Sequence, residues 1–400
     1  MSNGLSQRSA RISAPGTSSM RSKANALRDA GIKVINFAAG ELSSDAAPDM
    51  RQGAIAAVHE QWNRYTPPLG NPRLRQALAS SVSQRLGVDY DADEIAVSSG
   101  AKQALFNSAM VLLDPGDEVI IPRPYWETFP TQVELTGARP VFVNTKGDNH
   151  SLRGAAVKAA VSPRSKAIII NTPNNPTGVV YDRRELVAIG ELALENKLWV
   201  IFDECYRSLL RDGQQHHNLV ALLPELKAST IIIDSFSKSQ AVTGWRLGYA
   251  CAPKAVITAM HNLQAHTTSN PSSLAQYAAL KALHGDGARQ FGAEVNAQLD
   301  RQLAIATALL GKLESIRFSP PQGAFYLYLD ITRLLGKRYQ GEAIRDASHL
   351  CELLLTEARI ALVPGCSNGD PCAVRLSYSV SPQDLEEGLS RFTDFIATLA

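Results

Sequence analysis

Four residues carry the strongest chemical signal: Asp203, Tyr206, Lys238 and Arg246, with 35 residues from the aspartate to the lysine and 8 from the lysine to the arginine. A lysine taken out of water loses part of its preference for the ammonium form, and the resulting amine can form a Schiff base. An aspartate at a sheet edge can keep a proton on a basic ring nitrogen, while Tyr206 and Asn175 offer hydrogen bonds to a phenolic oxygen. Gly100, Ala101 and Lys102 open a helix-like run, whose first backbone N–H groups and positive dipole end suit a phosphate. Ser235, Ser237 and Arg246 add hydroxyls and a planar two-donor cation. Taken singly, each is ordinary: a lysine after a strand is usually solvated, and Asn174-Asn175-Pro176 is a turn.

The elements that must position these groups give them meaning. Apolar runs at Ile95–Ser98, Glu118–Pro122, Pro140–Val143, Lys166–Asn171, Trp199–Asp203, Thr230–Asp234 and Leu247–Cys251 read as strands buried on both faces. Helix-sized stretches such as Lys102–Leu113 and Arg183–Asn196 lie between them. This alternation predicts an α/β fold, an open and mostly parallel sheet in three layers. Such sheets bind ligands beyond the carboxyl ends of their strands, where the groups named above fall. Their combination suits one aromatic, phosphorylated, electrophilic cofactor, and pyridoxal 5'-phosphate is the cofactor that uses a lysine Schiff base and an acidic partner at its ring nitrogen. Beyond the sheet, strands at Ala324–Asp330, Ile360–Pro364 and Ala373–Ser379 with helices near Glu342–Ala358 and Gln383–Leu399 predict a smaller α+β unit completed by the N-terminal segment.

The run SFSKSQAVTGWRLGYA at Ser235–Ala250 resembles the cofactor-lysine signature of class I aminotransferases of fold type I, close to the aspartate-aminotransferase-like subgroup. NFAAGE at Asn36–Glu41, YTPPLG at Tyr65–Gly70, NTPNNPTG at Asn171–Gly178, DECY at Asp203–Tyr206 and VRLSYS at Val374–Ser379 extend the resemblance in order over nearly the whole chain. The resemblance implies an aminotransferase in which Lys238 is the internal-aldimine lysine, Asp203 pairs with the ring nitrogen, Tyr206 and Asn175 meet the phenolic oxygen, and Trp126 stacks on the ring. It places the backbone at Gly100, Ala101 and Lys102, with Ser235 and Arg246, around the phosphate, Ser237 supporting them from behind rather than touching it, and Tyr65 reaching it from the other subunit of a homodimer. Arg375 and Gly40 would hold the substrate α-carboxylate, with Asn175 beside them. Lys102 resembles a lysine that takes the distal carboxylate of acidic substrates, helped by Thr17 and Ser18, though a plain helix-start role fits it equally. Trp126 likewise has a core reading, in the helix after Pro124. The implied layout is residues 1–45 as N-terminal arm and part of the small domain, 46–299 as the cofactor-binding domain and 300–400 as the small C-terminal domain. Leu42-Ser43-Ser44-Asp45 departs from the family's Pro-Asp-Phe run, which leaves a specialised biosynthetic substrate open beside aspartate.

Composition narrows the alternatives. The 400 residues are 45% hydrophobic and 20% charged, which excludes wholesale disorder and coiled coil. Forty basic against 38 acidic residues give no electrostatic reason to expect nucleic acid or a membrane as partner. Five scattered cysteines form neither a disulfide framework nor a zinc set, so a reduced, cytoplasmic, metal-free enzyme is expected. Met1–Leu27 is basic, serine-rich and free of acids, which fits an organellar leader or, as preferred here, a mobile arm. His216 and His217 are expected to be solvated in a polar loop, and Cys205 to have no chemical role. Other fold-type-I enzymes, a carbon–sulfur β-lyase or an aminocyclopropane-carboxylate synthase, share the lysine, aspartate and arginine motifs. A nicotinamide dehydrogenase is disfavoured because no G-x-G-x-x-G follows a first strand.

Overall fold

Seven strands form the main sheet: β1 Ile95–Ser98, β2 Glu118–Arg123, β3 Arg139–Asn144, β4 Ser165–Asn171, β5 Trp199–Asp203, β6 Thr230–Ser235 and β7 Gly248–Cys251. Their spatial order is β1-β7-β6-β5-β4-β2-β3, and β7 alone runs against its neighbours. The computed structural model describes residues 16–400 apart from Asp212 and Asp286, together with Gly4, Ser6, Ser9 and Ile12. The arm-or-leader reading of the first fifteen residues therefore lies largely outside the described residues, as do the side chains of Thr17 and Ser18.

The near-continuous apolar character of the strands has a direct cause. Successive side chains point to opposite faces, and both faces are covered. Val119, Ile121, Ile169, Ile201 and Ile233 pack with Leu105 and Met260 on one side, and Ile120, Ile168, Ile170, Val200 and Phe202 pack with Leu186 and Ile189 on the other. Each such side chain removed from water stabilises the fold by roughly 1.5–3 kcal/mol. With β1, β4, β5 and β6 pointing the same way, the turns after Ser98, Asn171, Asp203 and Ser235 open on one edge.

A second sheet is antiparallel, with order β9-β10-β8 for β8 Tyr326–Asp330, β9 Val363–Pro364 and β10 Ala373–Ser377. The early segment Ile35–Asn36 pairs in parallel with Ile360–Ala361, so the two ends of the chain join. Two expectations need correction here. The single strand anticipated over 360–364 is two, because Ile360–Ala361 pairs with Ile35–Asn36 and Val363–Pro364 turns to β10. The helix anticipated from Glu342 starts at Ala347, where Asp346 accepts from the His349 N–H at 2.9 Å; Glu342–Ala343 instead pairs with Arg338–Tyr339. The expected boundary at 299 and 300 falls inside one continuous helix, Gly287–Leu310.

Candidate active site

Lys238 lies in a single helical turn, Phe236–Ser239, directly after β6. The turn sends its side chain inward, where the ammonium donates to the Gly40 carbonyl and lies 5.8 Å from the Tyr206 ring centre and 5.7 Å from that of Phe325. Burial lowers its pKa to about 8, helped by the Arg375 and Arg246 cations and opposed by Cys205 and Glu41. An amine near neutrality in such surroundings is a usable nucleophile and base.

Asp203 ends β5 and is buried. Desolvation raises its carboxyl to about pKa 6, with the Cys205 N–H, 3.1 Å away, pulling the other way and the Asp234 and Glu204 charges adding to the rise. A cationic ring nitrogen beside it would reverse that cost. Its neighbours are already paired. Glu204 is fully buried and held well below the usual carboxylate range by Arg85 and His216, against desolvation. His216 Nε2 and Asn218 Nδ2 each lie 2.9 Å from Glu204 Oε2. The expectation of a solvated His216 is thus corrected, since a buried carboxylate draws it in; His217 is half-buried beside it. Asp234 accepts from Arg207 at 2.7 Å and from the Tyr249 hydroxyl at 3.0 Å. Among the described residues, Asp203 is therefore an aspartate of this edge that lines the cavity without a cation paired to it.

The helix Ala101–Leu112 starts at Gly100 with no side chain capping it, so its first N–H groups have no intrahelical acceptor. Gly100 has φ +82°, and a Cβ there would stand 2.7 Å from Arg246 Nη2. A Cβ on Gly248 would meet the Ala101 nitrogen at 2.4 Å. These two glycines let β7, the helix start and Arg246 close on one point. Ser235 and Ser237 are buried at the same wall, and Arg246 donates to the Thr243 carbonyl at 2.9 Å.

Arg375, in β10, is 2% exposed. Its Nη1 donates to Asn175 Oδ1 at 3.0 Å, its Nη2 to the Ala38 carbonyl at 2.9 Å, and its plane covers the Tyr326 ring at 4.4 Å. Its Nε is buried with no partner among the described residues. Asn175 is set by its own N–H, which donates to Asn171 Oδ1 at 2.8 Å. The turn behind it is braced by Asn174 Oδ1, which accepts from the Thr177 hydroxyl at 2.8 Å.

One cavity of about 460 Å³ brings together Gly40, Ala101, Lys102, Trp126, Asn175, Asp203, Tyr206, Ser235, Ser237, Lys238, Arg246 and Arg375. Tyr65 is not among them: it is 91% exposed, in a separate recess with Trp62 and Arg64. The cavity also holds residues that the sequence reading missed, among them Arg21, Glu41, Glu127 and Tyr326. Tyr326 and Tyr206 share a hydroxyl–hydroxyl contact of 2.8 Å. The sequence marks Tyr326 as a strand residue, and nothing local marks its partner. Cys205, expected to be idle, lines the cavity and serves Asp203 through its backbone.

The family profile described as aminotransferase class I and II matches residues 32–392. An aspartate aminotransferase of Geobacillus stearothermophilus is 39% identical over 99% of this chain and 100% of its own length. A probable aspartate/prephenate aminotransferase of Aquifex aeolicus is 36% identical over 98% of both chains. Among solved structures, the aspartate aminotransferase of Thermus thermophilus with maleate superposes with a TM-score of 0.92 at 34% identity, covering 98% of this chain and 99% of that one. The enzyme from Rhizobium meliloti gives a TM-score of 0.94 at 33% identity, covering 99% of this chain and 100% of that one. With its lysine, aspartate and arginine gathered at one sheet edge, the chain belongs to the class I and II aminotransferases and is a pyridoxal-phosphate-dependent enzyme.

Proposed function

We propose that the enzyme moves the amino group of an acidic amino acid, aspartate foremost, to a 2-oxo acid such as 2-oxoglutarate. The observation that carries this reading is a cavity with a buried arginine, Arg375, and a second cation, Lys102, both on its lining. With Lys238 and Arg246 given to the cofactor, Arg375 and Lys102 remain to meet the two carboxylates of such substrates.

Bound pyridoxal phosphate supplies an electron sink for the bond broken at the substrate Cα. The residues present fit it: a buried amine, an aspartate raised by burial and, among the described residues, lacking a cation, and an uncapped helix start beside Arg246. In this reading Lys238 would hold the cofactor, then take the proton from Cα onto Nζ as general base and give it up again from Nζ as general acid. Asp203 keeps the ring nitrogen protonated, Tyr206 and Asn175 hydrogen-bond the phenolic oxygen, and Trp126 covers the ring. Gly100, Ala101, Lys102, Ser235, Ser237 and Arg246 hold the phosphate. Arg375, Gly40 and Asn175 orient the α-carboxylate. The exposure of Tyr65 supports a homodimer in which it completes the other subunit's phosphate site. Five cysteines without a disulfide support a reducing, cytoplasmic setting, and no described helix is long and apolar enough to cross a membrane.

The test supplies aspartate with 2-oxoglutarate and follows both products. Stoichiometric oxaloacetate and glutamate support the reading. Pyruvate and ammonia from a sulfur-containing amino acid, without amino transfer, would place the enzyme among the β-lyases instead.

A further inference from the structure

Arg21 belongs to none of the motifs, yet it lines the same cavity as Lys102 and Arg375. The helix Gly16–Asp29 carries it. Met20 and Ala24 bury the inner face of that helix, and Lys23 meets Glu352 at 2.9 Å outside, which fixes the helix's rotation and puts Arg21 on the cavity rim. The start of the helix is tied down too: the Gly16 N–H donates to Glu127 Oε2 at 2.7 Å. Glu127 follows Trp126, and the Lys102 ammonium sits 4.8 Å from the centre of the Trp126 ring. Arg21, Lys102 and Glu127 thus share one corner of the cavity. Desolvation lowers the pKa of Lys102, Glu127 opposes that, and Arg246 and Arg21 add to it, so Arg21 is near enough to be felt.

We infer that Arg21 is the second cation of the subsite for the substrate's distal carboxylate, and that Glu127 is a positioning residue holding the helix that presents it. The inference rests on the acidic-substrate reading above. Charge supports it: Arg21 and Lys102 are two basic groups beside one acid, Glu127, so this corner offers a distal carboxylate an excess of positive groups. A neutral side chain would leave that charge uncompensated in a partly desolvated corner. The guanidinium also offers a planar fork that the lysine lacks.

The test uses the cofactor-loaded enzyme with Arg21→Gln, Arg21→Lys, Glu127→Ala and Glu127→Gln. Two quantities are read: the ratio of kcat/KM for aspartate to that for alanine, and the Kd of maleate, a dicarboxylate that does not react. Losing a charge-assisted contact costs about tenfold or more. Arg21→Gln should lower the ratio and weaken maleate by that factor, with partial recovery in Arg21→Lys. Glu127→Ala should lower the ratio as well, whereas Glu127→Gln, which keeps an acceptor for the Gly16 N–H, should retain it. An unchanged ratio in Arg21→Gln, with the wild type preferring aspartate, overturns the role of Arg21 alone. Equal losses in both Glu127 variants overturn the positioning role. A wild type that does not prefer aspartate overturns the substrate reading itself.

Discussion

Replacing Asp203 by asparagine is expected to stabilise the cofactor-free protein above about pH 6 while disabling the loaded enzyme. Burial raises this carboxyl to about 6, against about 3.9 in an unfolded chain. The folded state therefore binds more protons than the unfolded state between those values, and stability falls as pH rises through them. Below about pH 4 the penalty is absent, and above about pH 6 it reaches about 3 kcal/mol. Asparagine has the same shape and no charge, so the gap between variant and wild type should open over that window and then stay constant. For a chain of this length 3 kcal/mol corresponds to an unfolding temperature higher by roughly 3–4 °C. Differential scanning calorimetry of both apoproteins between pH 4 and 8 measures it. The loaded variant should lose turnover by at least about a hundredfold, because a neutral amide does not keep the ring nitrogen protonated. An apo variant no more stable than wild type at pH 8 would refute the reasoning, since it would mean Asp203 is not a desolvated, unpaired carboxyl.

Three further perturbations follow from the geometry. Arg375→Lys removes the fork that reaches Asn175 and the Ala38 carbonyl; KM for amino and oxo acids should rise about 10–100-fold, with the absorbance of bound cofactor unchanged, as steady-state kinetics and spectra would show. Gly248→Ala places a methyl 2.4 Å from the Ala101 nitrogen, where backbone on both sides resists movement; it should cost about 1–3 kcal/mol and weaken cofactor binding, read by calorimetry and titration. Glu204→Gln strands Arg85 and should cost about 3 kcal/mol, the lower end for a buried pair because Arg85 keeps some solvent. Since the Glu204 carboxyl is depressed, its contribution is present above the ordinary carboxylate range and lost as pH falls below it, so this variant should flatten the acid limb of the stability profile.

The sheet was legible because its strands are buried on both faces, so Ile168-Ile169-Ile170 and Val200-Ile201-Phe202 announce themselves without any partner being known. The cavity edge was legible for a related reason: Gly100, Asn175, Tyr206 and Lys238 each come within a few residues of the end of a strand. What stayed hidden depends on contacts between distant segments. Arg21 meets the cavity through a helix whose first residue, Gly16, is anchored at Glu127, 111 residues further along the chain. His216 looks polar and loop-borne, and its burial follows from Glu204, whose own burial follows from Arg85. The hairpin at Arg338–Ala343 defeats a periodicity reading because the apolar pattern of the next helix runs straight into it.

The central claim is that Lys238 carries the cofactor. Reducing the purified, cofactor-loaded enzyme with borohydride fixes any lysine–cofactor linkage, and peptide mass spectrometry then locates it. One stoichiometric pyridoxyl adduct is expected, on the peptide containing Lys238, and none in Lys238→Ala. An adduct on another lysine, or a Lys238→Ala protein that retains the adduct and full amino transfer, would contradict it.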